Sequence, residues 1–160
     1  MSDIKFSIIT ISLNSAADIE NVLISVANQT YKNKEHIIID GGSQDSTVDI
    51  IKKYSDHLSY WISEPDNGIA DAFNKGIEQV TGDYILFINS DDFLINDKAL
   101  ESIHDAMQDK LDYYVFQVLS VHPHKPPQLI PNRVFGLSPY FKMGSCNQGQ
   151  VISNNLFEKC

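Results

Sequence analysis

Residues 5–43 read KFSIITISLNSAADIENVLISVANQTYKNKEHIIIDGGS, and the fold turns on this stretch. Lys5 to Ser12 is a β-branched apolar run of strand length. It stops at Leu13-Asn14-Ser15, where Asn14 or Ser15 can cap a following helix. From Ala16 to Gln29 the residues Ile19, Val22, Leu23, Val26 and Ala27 recur at helical spacing. A second short apolar run, His36 to Ile39, is closed by Asp40-Gly41-Gly42-Ser43. The order is β-α-β.

Working outward, Asp45 to Tyr54 repeats the helical pattern and Leu58 to Ile62 supplies a third strand. Glu64-Pro65-Asp66-Asn67-Gly68 turns the chain into a helix over Ile69 to Val80, and Tyr84 to Ile88 is a fourth strand. Strands alternating with helices predict an α/β fold: a mostly parallel sheet with helices on both faces and right-handed crossovers. In such sheets ligands sit outside the carboxyl ends of the strands. Asn14, Asp40 to Asp45 and Asn89 to Asp92 all directly follow strands, so they are expected to converge on one crevice. Beyond Asp97 the pattern predicts a helix to Gln108 and a strand from Tyr113 to Val121. His122 to Pro139 holds five of the six prolines and reads as an irregular loop. The tail offers a strand at Gln150 to Ser153 and a helical turn from Asn155.

With 160 residues, no internal repeat and no linker, the chain reads as a single domain able to bury a core without disulfides or a structural metal. No stretch reaches the roughly eighteen apolar residues of a membrane span, and Asp3 stands where a signal peptide needs positive charge. A soluble, unexported chain is expected. A net charge of −9 with only 12 Lys and Arg excludes a nucleic-acid surface and means that a phosphorylated ligand would need a cation. The two cysteines, Cys146 and Cys160, lack zinc or disulfide spacing and read as free thiols of a cytoplasmic protein. Cys146 has no His beside it in sequence and reads as a small buried apolar residue rather than a nucleophile.

Three clusters carry candidate chemistry. At Ile88-Asn89-Ser90-Asp91-Asp92 an apolar strand runs into two adjacent carboxylates, which repel each other unless a cation joins them; oxygen ligands suit Mg²⁺ or Mn²⁺. The alternative is that Asp91 or Asp92 only caps a turn. In Asp40-Gly41-Gly42-Ser43-Gln44-Asp45, Asp40 is placed to accept from a base N–H or a ribose hydroxyl, while Ser43 or Asp45 caps the next helix. Asp71, Asn74 and Lys75 share one side of a helix, where Lys75 either meets a phosphate or joins an exposed salt bridge. His122 and His124, with Pro123 between them, read as solvent-exposed rather than as a metal pair.

Taken in order, SIITISLN (Ser7 to Asn14), IDGGSQDST (Ile39 to Thr47), SEPDNGIADAFNKGI (Ser63 to Ile77) and TGDYILFINSDD (Thr81 to Asp92) resemble the family 2 glycosyltransferases, in particular the branch that assembles bacterial exopolysaccharide and capsule. The resemblance implies a GT-A, Rossmann-like fold. The expected donor is a nucleoside-diphosphate sugar, a UDP- or GDP-sugar. Its contacts would come from Thr10, Ile11, Leu13, Asn14, Asp40, Gly42, Asp71, Asn74, Lys75, Ser90 and Asp91, with Asp40 on the base. Asp91 and Asp92 match the metal-binding Asp-x-Asp region, with Asp92 the direct ligand of Mn²⁺ or Mg²⁺. The chain departs from the pattern in places. Asn89 stands where many members have the motif's first aspartate, which implies weaker or relocated metal binding. Ile11 and Leu13 replace the Thr or Pro and the Tyr often found beside the base. The usual Ala-Arg-Asn reads Ala72-Phe73-Asn74, and Lys75 supplies the missing positive charge.

The implied reaction is hexosyl transfer with inversion, in which an acceptor hydroxyl deprotonated by a carboxylate attacks the anomeric carbon as the diphosphate departs. The acceptor implied is a saccharide or lipid-linked saccharide of cell-surface polysaccharide synthesis, which would bring a cytoplasmic protein peripherally to the inner membrane face. On this reading residues 1–97 form the donor-binding half and 98–160 an incomplete acceptor half. The catalytic base is expected downstream of Cys160, because Glu158 is a poor candidate for it. A rival reading is a truncated or degenerate donor-binding module without transferase activity. A nucleotidyltransferase is set aside, because Ser12-Leu13-Asn14-Ser15 lacks the glycines and basic residue of a triphosphate loop.

Overall fold

The computed structural model describes residues 4–107, 111–116, 118–122, 125–130 and 150–157. Strand β1 (Phe6–Ser12) leads to helix α1 (Ile19–Ala27), β2 (Lys34–Asp40), α2 (Thr47–Lys53), β3 (Tyr60–Ser63), α3 (Ile69–Ile77) and β4 (Tyr84–Phe87). Then come α4 (Ala99–Ala106), β5 (Tyr113–Val115), β6 (Val118–His122), β7 (Lys125–Ile130), β8 (Gln150–Ser153) and α5 (Asn154–Phe157). One six-stranded sheet has the order β3-β2-β1-β4-β8-β5, and β6 with β7 forms a separate two-stranded ribbon. The pairs β1 with β2, β1 with β4, and β2 with β3 are parallel, as the alternation predicts, while β8 runs antiparallel to β4 and β5.

The period of two in β1 and β2 sorts their side chains onto two cores. Phe6, Ile8 and Ile38 pack with Ile19, Val22, Leu23 and Val26 of α1, Ile51 of α2 and Leu100 of α4. On the other face Ile9, Ile37, Ile39, Ile85 and Phe87 meet Ala72 and Phe73 of α3. Because both faces are covered, the central strands read as continuous apolar runs. Gly76 lets α3 lie against β1, since a Cβ there would stand 2.6 Å from Ile9 Cγ2.

Three expectations are corrected. Helix α1 starts at Ile19 rather than Ala16, with neither Asn14 nor Ser15 as its cap. Residues 15–18 form a turn in which the Ser15 carbonyl accepts the N–H groups of Asp18 and Ile19. Asn14 adopts φ 50° and turns its side chain elsewhere. The strand expected over Tyr113 to Val121 is two, β5 in the main sheet and β6 in the ribbon. The proline-rich stretch begins not as an irregular loop but as β7, paired with β6. Pro126 and Pro127 fall in a register shift, between the His122↔Lys125 and Ser120↔Gln128 pairs, where a ladder N–H is dispensable. The tail strand and helical turn are present as β8 and α5. His124, Cys146, Glu158, Cys160 and residues 131–149 lie outside the described residues.

Candidate functional site

The four parallel strands end at one edge, and side-chain hydrogen bonds tie the loops that leave them into one continuous ledge. Asn14 N donates to Ser43 Oγ (2.8 Å) and Asn14 Oδ1 accepts from Gln44 N (2.8 Å), joining the loop after β1 to the loop after β2. Ser15 N donates to Thr47 Oγ1 (2.8 Å), and the hydroxyls of Ser15 and Ser90 pair at 2.8 Å, joining the loops after β1 and β4. Gly42, at φ 83°, would set a Cβ 3.2 Å from Pro65 N, so the loops after β2 and β3 are packed backbone to backbone.

Asp40 is the hub of this ledge. Ser12, Asp40 and Ser63 are the last residues of β1, β2 and β3 and stand in register across the sheet. Asp40 is fully buried. Its Oδ1 accepts from the hydroxyls of Ser12 and Ser43, and its Oδ2 from the Ser63 hydroxyl (2.6 Å), Ser43 N (2.9 Å) and Gly42 N (3.2 Å). A carboxylate offers about four lone-pair sites, so none is left over. Burial by itself would raise the Asp40 pKa. The donors of Ser43, Ser63 and Ser12 together outweigh it and hold the carboxyl below its usual range.

The other sequence-derived residues divide by exposure. Thr10 is buried inside β1 with its hydroxyl 3.1 Å from His36 Nε2, so its side chain faces the core. Ile11 packs partly against the α3 face, while Leu13 lies 58% exposed over Gly41. On α3, Asn74 is exposed. Asp71 Oδ2 accepts from Asn67 N at 2.9 Å. Lys75 Nζ pairs with Glu64 (2.8 Å) and Asp71 (3.7 Å) and donates to the Pro65 carbonyl. The Glu64 hydrogen bond, with the charges of Glu64, Asp71 and Asp66, raises the Lys75 pKa against the desolvation that lowers it. Of the two readings of Lys75, these contacts show the ion pair, which braces the 64–68 turn.

After β4 the chain turns through Asn89, whose carbonyl accepts Asp92 N at 3.1 Å. Asp91 is exposed and Asp92 half-buried on the ledge beside Ser90. No third His, Cys, Asp or Glu joins them among the described residues. Two adjacent carboxylates, one exposed and one half-buried, fit a hard cation that keeps water or ligand oxygens in its remaining positions. Sequence reasoning singled out Asp40, Asp91 and Ser90 but passed over Ser12, Ser63 and Asp66. Their common signal is place: each is a small polar residue at, or just past, a strand end.

A mostly parallel sheet between helices, with its polar loops hydrogen-bonded along the carboxyl edge, defines a GT-A domain. The family model "Glycosyl transferase family 2" matches residues 7–156. The chain belongs to that family. It is 37% identical over 105 residues to an "uncharacterized glycosyltransferase" of Mycobacterium tuberculosis, covering 65% of this chain and 40% of the relative. Residues 1–349 of S. aureus TarS, in a crystal structure with UDP, superpose with a TM-score of 0.77 at 22% identity, covering 97% of this chain and 48% of that one. The mannosyltransferase PcManGT of Pyrobaculum calidifontis, in complex with GDP-Man and Mn²⁺, superposes with a TM-score of 0.63 at 20% identity over 69% of this chain and 34% of its own. The chain spans 40 to 50% of the length of the curated relatives it matches.

Proposed function

We propose that this domain binds a nucleoside-diphosphate sugar together with Mn²⁺ or Mg²⁺ along the carboxyl edge of its sheet, and that it serves inverting transfer of the sugar to a hydroxyl acceptor. The observation that carries this reading is the ledge itself: four loops held in one hydrogen-bonded chain, ending at the adjacent carboxylates of Asp91 and Asp92. The UDP and GDP-Man complexes of the two structural neighbours support a nucleotide donor, and the second supports a divalent cation.

Each part has a role. Asp92 and Asp91 hold the cation, which when bound neutralises the diphosphate as it leaves. Leu13 and Ile11 give the base an apolar edge in place of an aromatic. Asn14, Gly42 and Ser90 shape the backbone beneath the nucleotide, and Asn74 offers an amide to the diphosphate or sugar. Asp71 and Lys75 fix the loop that covers it. Residues 1–97 make up the donor half of a single domain, and 98–160 the first part of the acceptor half. The acceptor is a saccharide, free or lipid-linked, of cell-surface polysaccharide synthesis, reached from the inner face of the membrane. Among the described residues no helix is long and apolar enough to cross that membrane.

One observation favours a second reading, a donor-binding module without transfer. The carboxylates described after Asp97 are Glu101 and Asp105 on α4 and Asp112 before β5. Strand β5 runs parallel to β4, since both oppose β8, so Asp112 lies at the edge away from the ledge. Sugar transfer by the purified chain to any hydroxyl acceptor rules this reading out. The primary test is calorimetric titration with UDP and GDP, with and without Mn²⁺, beside Asp92→Ala. Metal-dependent binding that disappears in the variant is expected; absence of binding with the metal present removes the site assignment.

A further inference from the structure

On the loop after β3, Asp66 is an acidic group of the ledge with acceptor capacity still open among the described residues. Its Oδ1 takes the Gly68 N–H at 2.8 Å, and Oδ2 takes no hydrogen bond from the described residues. That second oxygen rests on the bare backbone of Gly41: a Cβ built there would stand 2.6 Å from Asp66 Oδ2 and 3.5 Å from Leu13 Cδ1. The open oxygen therefore sits beside an exposed apolar side chain and a glycine that leaves it room. Asp40, the residue the sequence assigns to the base, is buried with every lone pair taken. The contacts of Lys75 are with Glu64, Asp71 and the Pro65 carbonyl rather than with Asp66.

We propose that Asp66 Oδ2 reads the donor base by accepting its imide N–H, and so selects uracil or guanine over cytosine and adenine. This rests on the nucleotide-binding reading above. Uracil N3 and guanine N1 carry a hydrogen beside a carbonyl; cytosine N3 and adenine N1 present a bare lone pair at the same edge. An ionised carboxylate has no hydrogen to give, so it pairs with the first two and repels the others. A half-buried carboxylate discriminates because the wrong base covers it without supplying a hydrogen. Gly41 and Leu13 complete the arrangement: the first keeps the carboxylate in place, the second lies along the ring.

The test is calorimetric titration, with Mn²⁺ present, of UDP, GDP, CDP and the imide-N-methylated analogues of UDP and GDP. The chain is compared with Asp66→Ala, Asp66→Asn and Gly41→Ala. The expected preference of the unaltered chain for its keto nucleotide over CDP and over the methylated analogue is about tenfold or more. Asp66→Ala brings these ligands to within about threefold of one another. Asp66→Asn admits CDP, because an amide can present N–H. Gly41→Ala acts in the same direction with Asp66 intact. Equal affinity of the unaltered chain for UDP or GDP and its methylated analogue overturns the proposal while the nucleotide-binding reading stands, whatever the variants do. Full discrimination retained by a folded Asp66→Ala does the same. If no nucleotide binds, the reading falls and this proposal falls with it.

Discussion

Asp40 keeps its charge in a fully buried place because donors from the ends of the two flanking strands and from the loop beyond converge on it. Removing one partner of such a network leaves the others buried without an acceptor, which costs more than the net worth of any single bond. Asp40→Asn is therefore expected to lower unfolding free energy by about 2–3 kcal/mol in urea titrations. A loss under about 0.5 kcal/mol, within surface-substitution scatter, would show the hub to be ornamental. That Asp40 matters was legible in the sequence, since a carboxylate at a strand end before two glycines is unusual. Its partners were not, because Ser12 and Ser63 become its neighbours only through strand register. Lys75 was legible as either a phosphate contact or an ion pair, but its partner Glu64 was not, because the turn that brings the two together is a matter of the fold.

Two element-scale devices set the frame. Strands β1, β2 and the approach to β4 are clamped at the edge opposite the ledge by Glu35, which accepts from Ser7 Oγ (2.6 Å), Thr81 N (2.7 Å) and Thr81 Oγ1 (2.6 Å) and pairs with Lys5 at 2.6 Å. Burial alone would raise its pKa, but the hydrogen bonds from Lys5, Ser7 and Thr81 outweigh it and hold Glu35 at about 2. A carboxyl depressed in the folded state stabilises above its unfolded value, here 4.5, and that stability is lost as pH falls through about 2. The thermal unfolding midpoint, followed from pH 6 to pH 2, should fall through this window and fall less steeply in Glu35→Gln. The second device is Gly76. An exposed helical Gly→Ala gains about 0.5–1 kcal/mol, but here the new methyl meets Ile9, so Gly76→Ala is expected to lose about 1–3 kcal/mol. A gain in stability would mean that α3 does not lie so close to β1. The β-α alternation through β4 was readable because apolar runs and helical periods are local signals. The break between β5 and β6 and the pairing of β7 were not, since prolines argue against a strand unless the register shift that accommodates them is known.

At the scale of the molecule, the sequence places Asn14, Asp40 to Asp45 and Asn89 to Asp92 directly after strands, and the strand order β3-β2-β1-β4 lines those ends up along one edge. What the sequence could not supply was the role of β8, a strand from the tail that enters the sheet antiparallel between β4 and β5. Family membership follows from the family model matched across residues 7–156, while the donor site is an account of the ledge and rests on how its loops are joined. That account places cation and nucleotide at one end of the sheet and the Glu35 clamp at the other. The direct measurement is an NMR titration of the isotopically labelled chain with UDP or GDP, and then with trace Mn²⁺, whose unpaired electrons broaden nearby amides. The account predicts nucleotide-dependent shifts at residues 13–14, 41–43 and 64–68, and broadening centred on 89–92, with Lys5, Glu35 and Thr81 left sharp. Broadening centred on the clamp end, or spread without regard to the nucleotide, would contradict it.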